Sequence, residues 1–209
     1  MPRIVKYILL IAVVALAGYK SVYFKRLSAY NKQTTGSFDA VSFSQKLWNE
    51  QLPARLDSAV ALTDFIDAVR ANSVAAFERY SNALAIGNYR YSIVKFTGTV
   101  SAINENDIAV EMPHADTAMT ILLATEYIYG NAIRDASGLL KVEDFPNTND
   151  LNNISEQLNK TVRTSIIPSF KKLVKQGDKI EVTGAIELNK EHINFSKTEV
   201  IPVRLKILQ

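Results

Sequence analysis

A chain of 209 residues with 47% hydrophobic and 22% charged residues is long enough for a sizeable buried core. Its formal charge of +3 misleads, because Arg3, Lys6, Lys20, Lys25, Arg26 and Lys32 all precede the first acidic residue, Asp39; without these six, 18 basic residues face 21 acidic ones, a poor balance for gripping phosphate backbones. The absence of cysteine excludes disulfides, thiolate metal sites, nucleophilic thiols and a lipidated cysteine within this sequence.

The chain opens with Arg3 and Lys6, an apolar run from Tyr7 to Tyr19, then Lys20. Residues 1–24 therefore read as an export signal or membrane anchor. If Lys6 and Lys20 lay their stems along the apolar surface, Ile4 to Phe24 suffices for a single-pass inner-membrane helix. Ala15-Leu16-Ala17 before Gly18 also offers a small-x-small cleavage site. Either way residues 37–209 are expected in the periplasm, with the N-terminus inside.

Residues 25–37 form a polar tether, and residues 38–88 a small helical subdomain. A first helix, capped by Ser37 or Asp39, is expected to run to about Gln51. A second follows Pro53, with Leu56, Ala59, Val60, Leu62, Phe65, Ile66 and Val69 at helical spacing, and ends near Asn72. A third, capped by Ser73, runs through Ala75, Phe77 and Tyr80 and reaches about Leu84. Trp48 is expected to staple this subdomain to the strand-rich remainder of the chain.

From Tyr91 the period becomes two. Val94, Phe96, Val100 and Ala102 alternate with polar residues in a first strand, and Ile108 to Met112 returns after the polar turn Asn104-Glu105-Asn106-Asp107. Met119 to Ala124 is a third strand. Asp150 to Lys175 reads as a helix that Pro168 breaks or kinks. Lys179 to Leu188 is a fourth strand and Ile193 to Leu208 the last, with Ile201, Val203, Leu205 and Ile207 on one face. The fold class is α+β, residues 89–209 forming a five-stranded OB-like barrel with a helix between strands 3 and 4. Phe96-Thr97-Gly98-Thr99-Val100 echoes Val182-Thr183-Gly184-Ala185-Ile186, each with a mid-strand glycine where a small barrel must bend.

Between the third strand and the long helix lies Ile128-Tyr129-Gly130-Asn131-Ala132-Ile133-Arg134-Asp135-Ala136-Ser137-Gly138. Arg134 offers a rigid fork for a carboxylate, sulfate or sugar hydroxyls, and Asp135 an acceptor that could orient it. Alternatively Arg134 ties the loop to its own backbone, and Asp135 and Ser137 build a turn with Gly138. Asn131, Asn147, Arg134, Asp135 and Tyr129 are the candidate ligand-binding residues; Phe145 is a candidate plug beneath the loop. Tyr127 and Tyr129 share a strand face, where they stack a ring or join the core. His114 and His192 lack metal-ligand spacing, so no metal is expected. Glu105/Asp107 and Glu143/Asp144 read as solvated turn residues. No Gly-x-Ser-x-Gly, P-loop or dinucleotide fingerprint is present, so no catalytic residue or cofactor is assigned.

Gly130 with Arg134-Asp135-Ala136 and Gly138, then Asp144-Phe145 with Asn147, Leu158-Asn159, Thr183-Gly184 and Ile201-Pro202-Val203, resemble a family of uncharacterised bacterial predicted periplasmic lipoproteins. The resemblance covers about residues 37–205. It implies an exported, membrane-associated OB-like domain and, for some members, a link to sugar ABC transporters. This chain departs from it in having no cysteine to carry a lipid. The expected function is a non-enzymatic extracytoplasmic binding or accessory protein, its partners the inner membrane, a transporter or envelope protein, or a small polar ligand. The alternatives are an envelope hydrolase using Asp135 or Asp144 and, against the acidic balance, an oligonucleotide binder.

Overall fold

The computed structural model describes residues 2–21, 38–115 and 117–208. It divides into two compact units, Met1–Phe38 and Asp39–Gln209. In the first unit, helix α1 spans Arg3–Ser21. The tether at residues 25–37 and the expected Ser37 cap lie outside the described residues.

The expected single-pass membrane helix is corrected: among the described residues, no helix is long and apolar enough to cross a membrane. Lys6 and Lys20 both fall inside α1, which confines its charge-free stretch to residues 7–19. At 1.5 Å per residue that stretch covers about 20 Å, well short of the roughly 30 Å of hydrocarbon in a bilayer.

The second unit begins with helix α2 (Ala40–Lys46). Asp39 caps it, its side chain accepting from the N–H groups of Val41 and Ser42 at 3.0 and 3.1 Å. A π turn, Leu47–Gln51, leads into α3 (Leu52–Asp57), where Pro53 sits in the first turn and its missing N–H is harmless. The expected second helix is divided. Ser58 ends α3, Val60–Ala61 forms a short strand β1 parallel to β2 (Tyr89–Ile103), and only then does α4 (Leu62–Ala71) begin. The run Ala59-Val60-Ala61-Leu62 is apolar throughout, so its periodicity hides this two-residue break. Helix α5 (Ser73–Tyr80) is capped by Asn72, not by Ser73, through the N–H of Ala75, and it ends well before Leu84.

The remaining strands are β3 (Asp107–His114), β4 (Thr117–Ala124), β5 (Lys179–Asn189) and β6 (Glu199–Leu208). Residues 193–198, expected as strand, are instead a connection containing a short 3-10 turn at Phe195–Lys197.

The described strands form one six-stranded sheet ordered β1-β2-β3-β4-β6-β5, with β2 also paired to β5. The five-stranded barrel is thus corrected to a six-stranded sheet. β1 adds a strand beside β2, and β4 meets β6 over two residue pairs only, Leu122 with Glu199 and Leu123 with Val200. The first and fourth expected strands are neighbours: β2 and β5 pair antiparallel, from Tyr89 opposite Asn189 to Thr99 opposite Lys179.

Helices α6 (Ala132–Ser137) and α7 (Thr148–Thr161) stand between β4 and β5, followed by a π turn, Val162–Ile166, and α8 (Ile167–Lys171). Pro168 lies in the first turn of α8. The widened turn before it keeps the helix direction where a proline ring would otherwise clash with the carbonyl four residues back.

The core gathers Val94, Val110, Ile121, Leu123, Val182 and Ile186 from the sheet with Leu62, Phe65 and Ile66 from α4. Phe65 meets Phe77, Tyr80 and Phe195 edge to face at 6.2, 6.2 and 6.4 Å. One expected face of β6 is broken. A bulge between the Thr183–Arg204 and Gly184–Pro202 pairs shifts the alternation, so Val200 joins the core while Ile201 faces outward.

The two mid-strand glycines permit close crossings. A Cβ on Gly184 would lie 2.5 Å from the Ile201 carbonyl oxygen; on Gly98 it would lie 2.6 Å from Val110 Cγ1 and 2.7 Å from the Glu111 carbonyl oxygen. Neither backbone oxygen can swing aside. Gly184→Ala is expected to destabilise the protein by about 1–3 kcal/mol. Urea unfolding should show this as a lower midpoint at unchanged slope.

Candidate functional site

The segment after β4 departs from sheet geometry at once. Tyr127 and Tyr129 are not on a strand, and both are exposed, at 65% and 62%. Buried Ile128 between them fixes the segment, and its carbonyl accepts from Arg163 of the π turn. The Arg163 guanidinium lies 5.1 Å from the Tyr129 ring centroid and pairs with Glu156. Asn159 donates to the Gly130 carbonyl at 2.9 Å, and Ser155 donates to Asn131 Oδ1 at 3.2 Å. Helix α7 and the π turn thus hold the segment at Ile128–Asn131 and place a cation against the exposed Tyr129 ring.

Arg134 and Asp135 form α6 with their neighbours, not an open turn. Their side chains are only 5% and 2% exposed, and Arg134 Nε donates to Asp135 Oδ1 at 2.6 Å. Their surroundings tie three layers together. Asn82 donates to the Ala136 carbonyl at 3.2 Å, Arg55 Nε to the Ser137 carbonyl at 2.7 Å, and the N–H of Leu84 to Asp135 Oδ2 at 3.4 Å. Ser137 Oγ donates to the Arg134 carbonyl at 2.6 Å and accepts from the N–H of Leu139. Gly138 ends the helix with φ of +61°, and a Cβ there would lie 2.9 Å from the Asn82 side chain. Asn147 stands apart as the cap of α7, accepting from the N–H of Asp150 at 3.1 Å. Phe145, half buried, meets Phe43 of α2 edge to face at 5.8 Å.

Of the candidate residues, then, Arg134 and Asp135 are brought together, Asn131 and Asn147 serve hydrogen bonds within the fold, and Tyr129 alone lines a cleft. Tyr127, Tyr129, Glu187 and Glu199 wall this 280 Å³ hollow, over a floor of Ala132, Ala185 and Ile201. The two glutamates escaped sequence reasoning because they lie on separate strands. The β5–β6 register pairs Ala185 with Ile201 and ends at Ile186 with Val200; Glu187 and Glu199 follow that last pair on their strands, and both line the hollow. Neither was singled out from the sequence, where nothing aligns them.

The buried motif reaches the cleft through Tyr91. On β2 it pairs with Glu187, and burial, followed by the charges of Glu187 and Asp135, pushes its hydroxyl up to about 12. Burial, and secondarily repulsion from Asp107, raises the Glu199 carboxyl above its ordinary value of 4.5.

His114 is buried, 3.2 Å from Asp67, whereas His192 is exposed. Among the described residues no group of three or more His, Cys, Asp or Glu side chains is placed to hold a metal.

The architecture is that of an α+β, OB-related domain. It is similar to the crystal structure of an OB-fold protein from Thermotoga maritima, with a TM-score of 0.72 and 25% identity over 82% of this chain and 99% of that one. The family model described as "Predicted periplasmic lipoprotein (DUF2291)" matches residues 12–206, and the chain belongs to that family. A search of curated proteins gives no match.

Two outcomes are expected from this geometry. Asp135→Ala leaves the Arg134 guanidinium buried without its partner and is expected to destabilise by about 3–5 kcal/mol, whereas replacing both residues with leucine should lose less; thermal or urea unfolding of the two variants beside the unaltered protein checks this. Glu199 binds its proton more tightly folded than unfolded, so its contribution to stability falls as pH rises above 4.5. Glu199→Gln should therefore raise the melting temperature at pH 7, and the gain should vanish below pH 4.

Proposed function

We propose that this protein is a non-enzymatic binding or accessory protein of the bacterial cell envelope, whose domain takes a small polar ligand outside the cytoplasm. The cleft beside α6 carries the reading. Two tyrosines are exposed, one of them, Tyr129, met by Arg163 of another element, and two carboxylates line the same hollow. Exposed aromatic rings with convergent polar groups are what a small-ligand site requires. A stable fold gains nothing from holding such rings in water.

The state of the Arg-Asp motif speaks against hydrolysis through Asp135. Asp135 is nearly inaccessible and already engages Arg134 and the N–H of Leu84, so it is ill placed to activate water on a substrate. The setting outside the cytoplasm rests on the family and on the leader, whose basic start and short apolar core have the form of an export signal. Service within a solute-uptake system, including sugar uptake, is the context implied by the family resemblance.

A thermal-shift panel on the full chain, spanning neutral sugars, amines, carboxylates and phosphates, tests the reading. At a concentration about 100 times its Kd a true ligand stabilises by about 2.7 kcal/mol. For a domain of this size that is about 5–10 °C in Tm. The shift should disappear in Tyr129→Ala. A panel with no responder, or a shift untouched by that substitution, overturns the assignment of the cleft.

A further inference from the structure

We infer that the hollow between the end of α4, the β3–β4 turn and the β5–β6 connection binds a small organic carboxylate with an apolar body, its charged head held by Arg70 and His114. The inference is independent of the Tyr129 cleft, with which this hollow shares no residue.

The hollow measures 860 Å³, against 280 Å³ for the Tyr129 cleft. Three separate parts of the chain wall it. Val69 and Arg70 come from the last turn of α4, His114 from the end of β3 and Met119 from β4, and Ile193 and Phe195 from the connection into β6.

The wall carries one sign of charge. Arg70 and His114 line it, and among the described residues no aspartate or glutamate does. Arg70 is exposed and, among the described residues, joins no ion pair and makes no hydrogen bond. Its guanidinium is uncommitted.

His114 adds a second, independent observation. It is only 8% exposed, yet it lines the hollow. Its Nε2 stands 3.2 Å from Asp67 Oδ1. An ionised carboxylate only accepts, so Nε2 carries the hydrogen and donates it. The other ring nitrogen, Nδ1, has no partner among the described residues and is not sealed from outside, so a ligand can reach it. A nearly buried imidazole, oriented on one side by a carboxylate and unpartnered on the other, is preorganised for a guest.

The floor supplies the rest. Val69 and Phe195 belong to the hydrophobic core, and Met119 and Ile193 pack against it. Apolar surface with a few convergent polar groups is the make-up of a small-ligand site. A carboxylate offers one oxygen to the guanidinium and one to the imidazole, while its hydrocarbon body covers the floor. An amine would meet like charge, an alcohol would leave Arg70 unneutralised, and inorganic phosphate lacks the body that this floor rewards.

The arrangement also couples binding to a proton. With Nε2 given to Asp67, Nδ1 can donate only when the ring carries hydrogen on both nitrogens. The charged groups around the ring are Asp67 and Arg70, both on α4; among the described residues no other titratable side chain lines the hollow.

The test is calorimetric titration of the full chain with hexanoate, acetate, hexylammonium, hexanol and inorganic phosphate. Hexanoate is expected to bind one-to-one, acetate at least tenfold more weakly, and the other three not at all. Arg70→Gln should weaken hexanoate at least tenfold while leaving the melting temperature of the unliganded protein unchanged, and Tyr129→Ala should leave the affinity unchanged. At pH 8, where an ordinary imidazole is neutral, titration in two buffers of different ionisation enthalpy should show uptake of about one proton. That uptake should be lost in His114→Gln; if this variant does not fold, the Arg70→Gln comparison still decides. Hexanoate binding that Arg70→Gln leaves intact, or that takes up no proton, would overturn the inference. So would equal binding of hexanol or hexylammonium, phosphate binding without hexanoate, or binding of none of the five. Hexanoate binding abolished by Tyr129→Ala but kept in Arg70→Gln would move the ligand to the other cleft, overturning this site and sparing the proposed function.

Discussion

The architecture depends on a buried ion pair between two consecutive residues. Arg134 and Asp135 lie on a six-residue helix with almost no exposed side-chain surface, and they engage each other at 2.6 Å. A buried pair is weak evidence of net stability, because desolvating two charges opposes their attraction. Its consequence here is positional. Asp135 also accepts from the N–H of Leu84 through its second oxygen, which ties the pair to a segment outside its own helix. The sheet lies on one side, and the segments at Arg55 and residues 82–84 hold the helix from the other. Gly138 completes the arrangement by letting the backbone turn against Asn82.

The same pair connects the interior with the surface. The charges of Asp135 and Arg134 act on Tyr91, Tyr91 lies opposite Glu187 on the β2–β5 ladder, and Glu187 lines the cleft together with Glu199. The motif that first looked like a ligand fork therefore works one layer below the site. It supports the strand and the carboxylate that the ligand would meet. On the other side of the cleft Arg163, placed by the π turn ahead of Pro168, holds Tyr129. Irregular backbone in the long helix thus has a use: it sets a cation beneath an exposed ring.

Much of the fold was legible because local pattern and tertiary outcome agree. The alternation of Val94, Phe96 and Val100, the return at Ile108, and the glycine echo at Gly98 and Gly184 gave strands, their order and the β2–β5 neighbourhood. The helix between β4 and β5 was equally plain. What failed had physical causes. Helical spacing continued through Val60 and Ala61 although these two residues pair with β2. The bulge in β6 put Ile201 and Leu205 on different faces, which alternation alone could not register. The leader's apolar stretch reads as an anchor only if two lysines are extended along it, and the helix is too short without them. Of the site, Tyr129 was named and Arg134 and Asp135 were singled out. The cleft itself was invisible, because it is made by strand register, and register is a property of pairs.

Backbone hydrogen exchange across α6 tests the central claim most directly. If the buried pair locks this helix between the layers, the N–H of Asp135, bonded to the Asn131 carbonyl at 2.8 Å, opens only when the domain unfolds. It should then exchange as slowly as the amides of Val94 and Ala185 in the β2–β5 ladder. Exchange of Asp135 by local opening, at rates matching the exposed turn Val142–Asp144, would contradict the account.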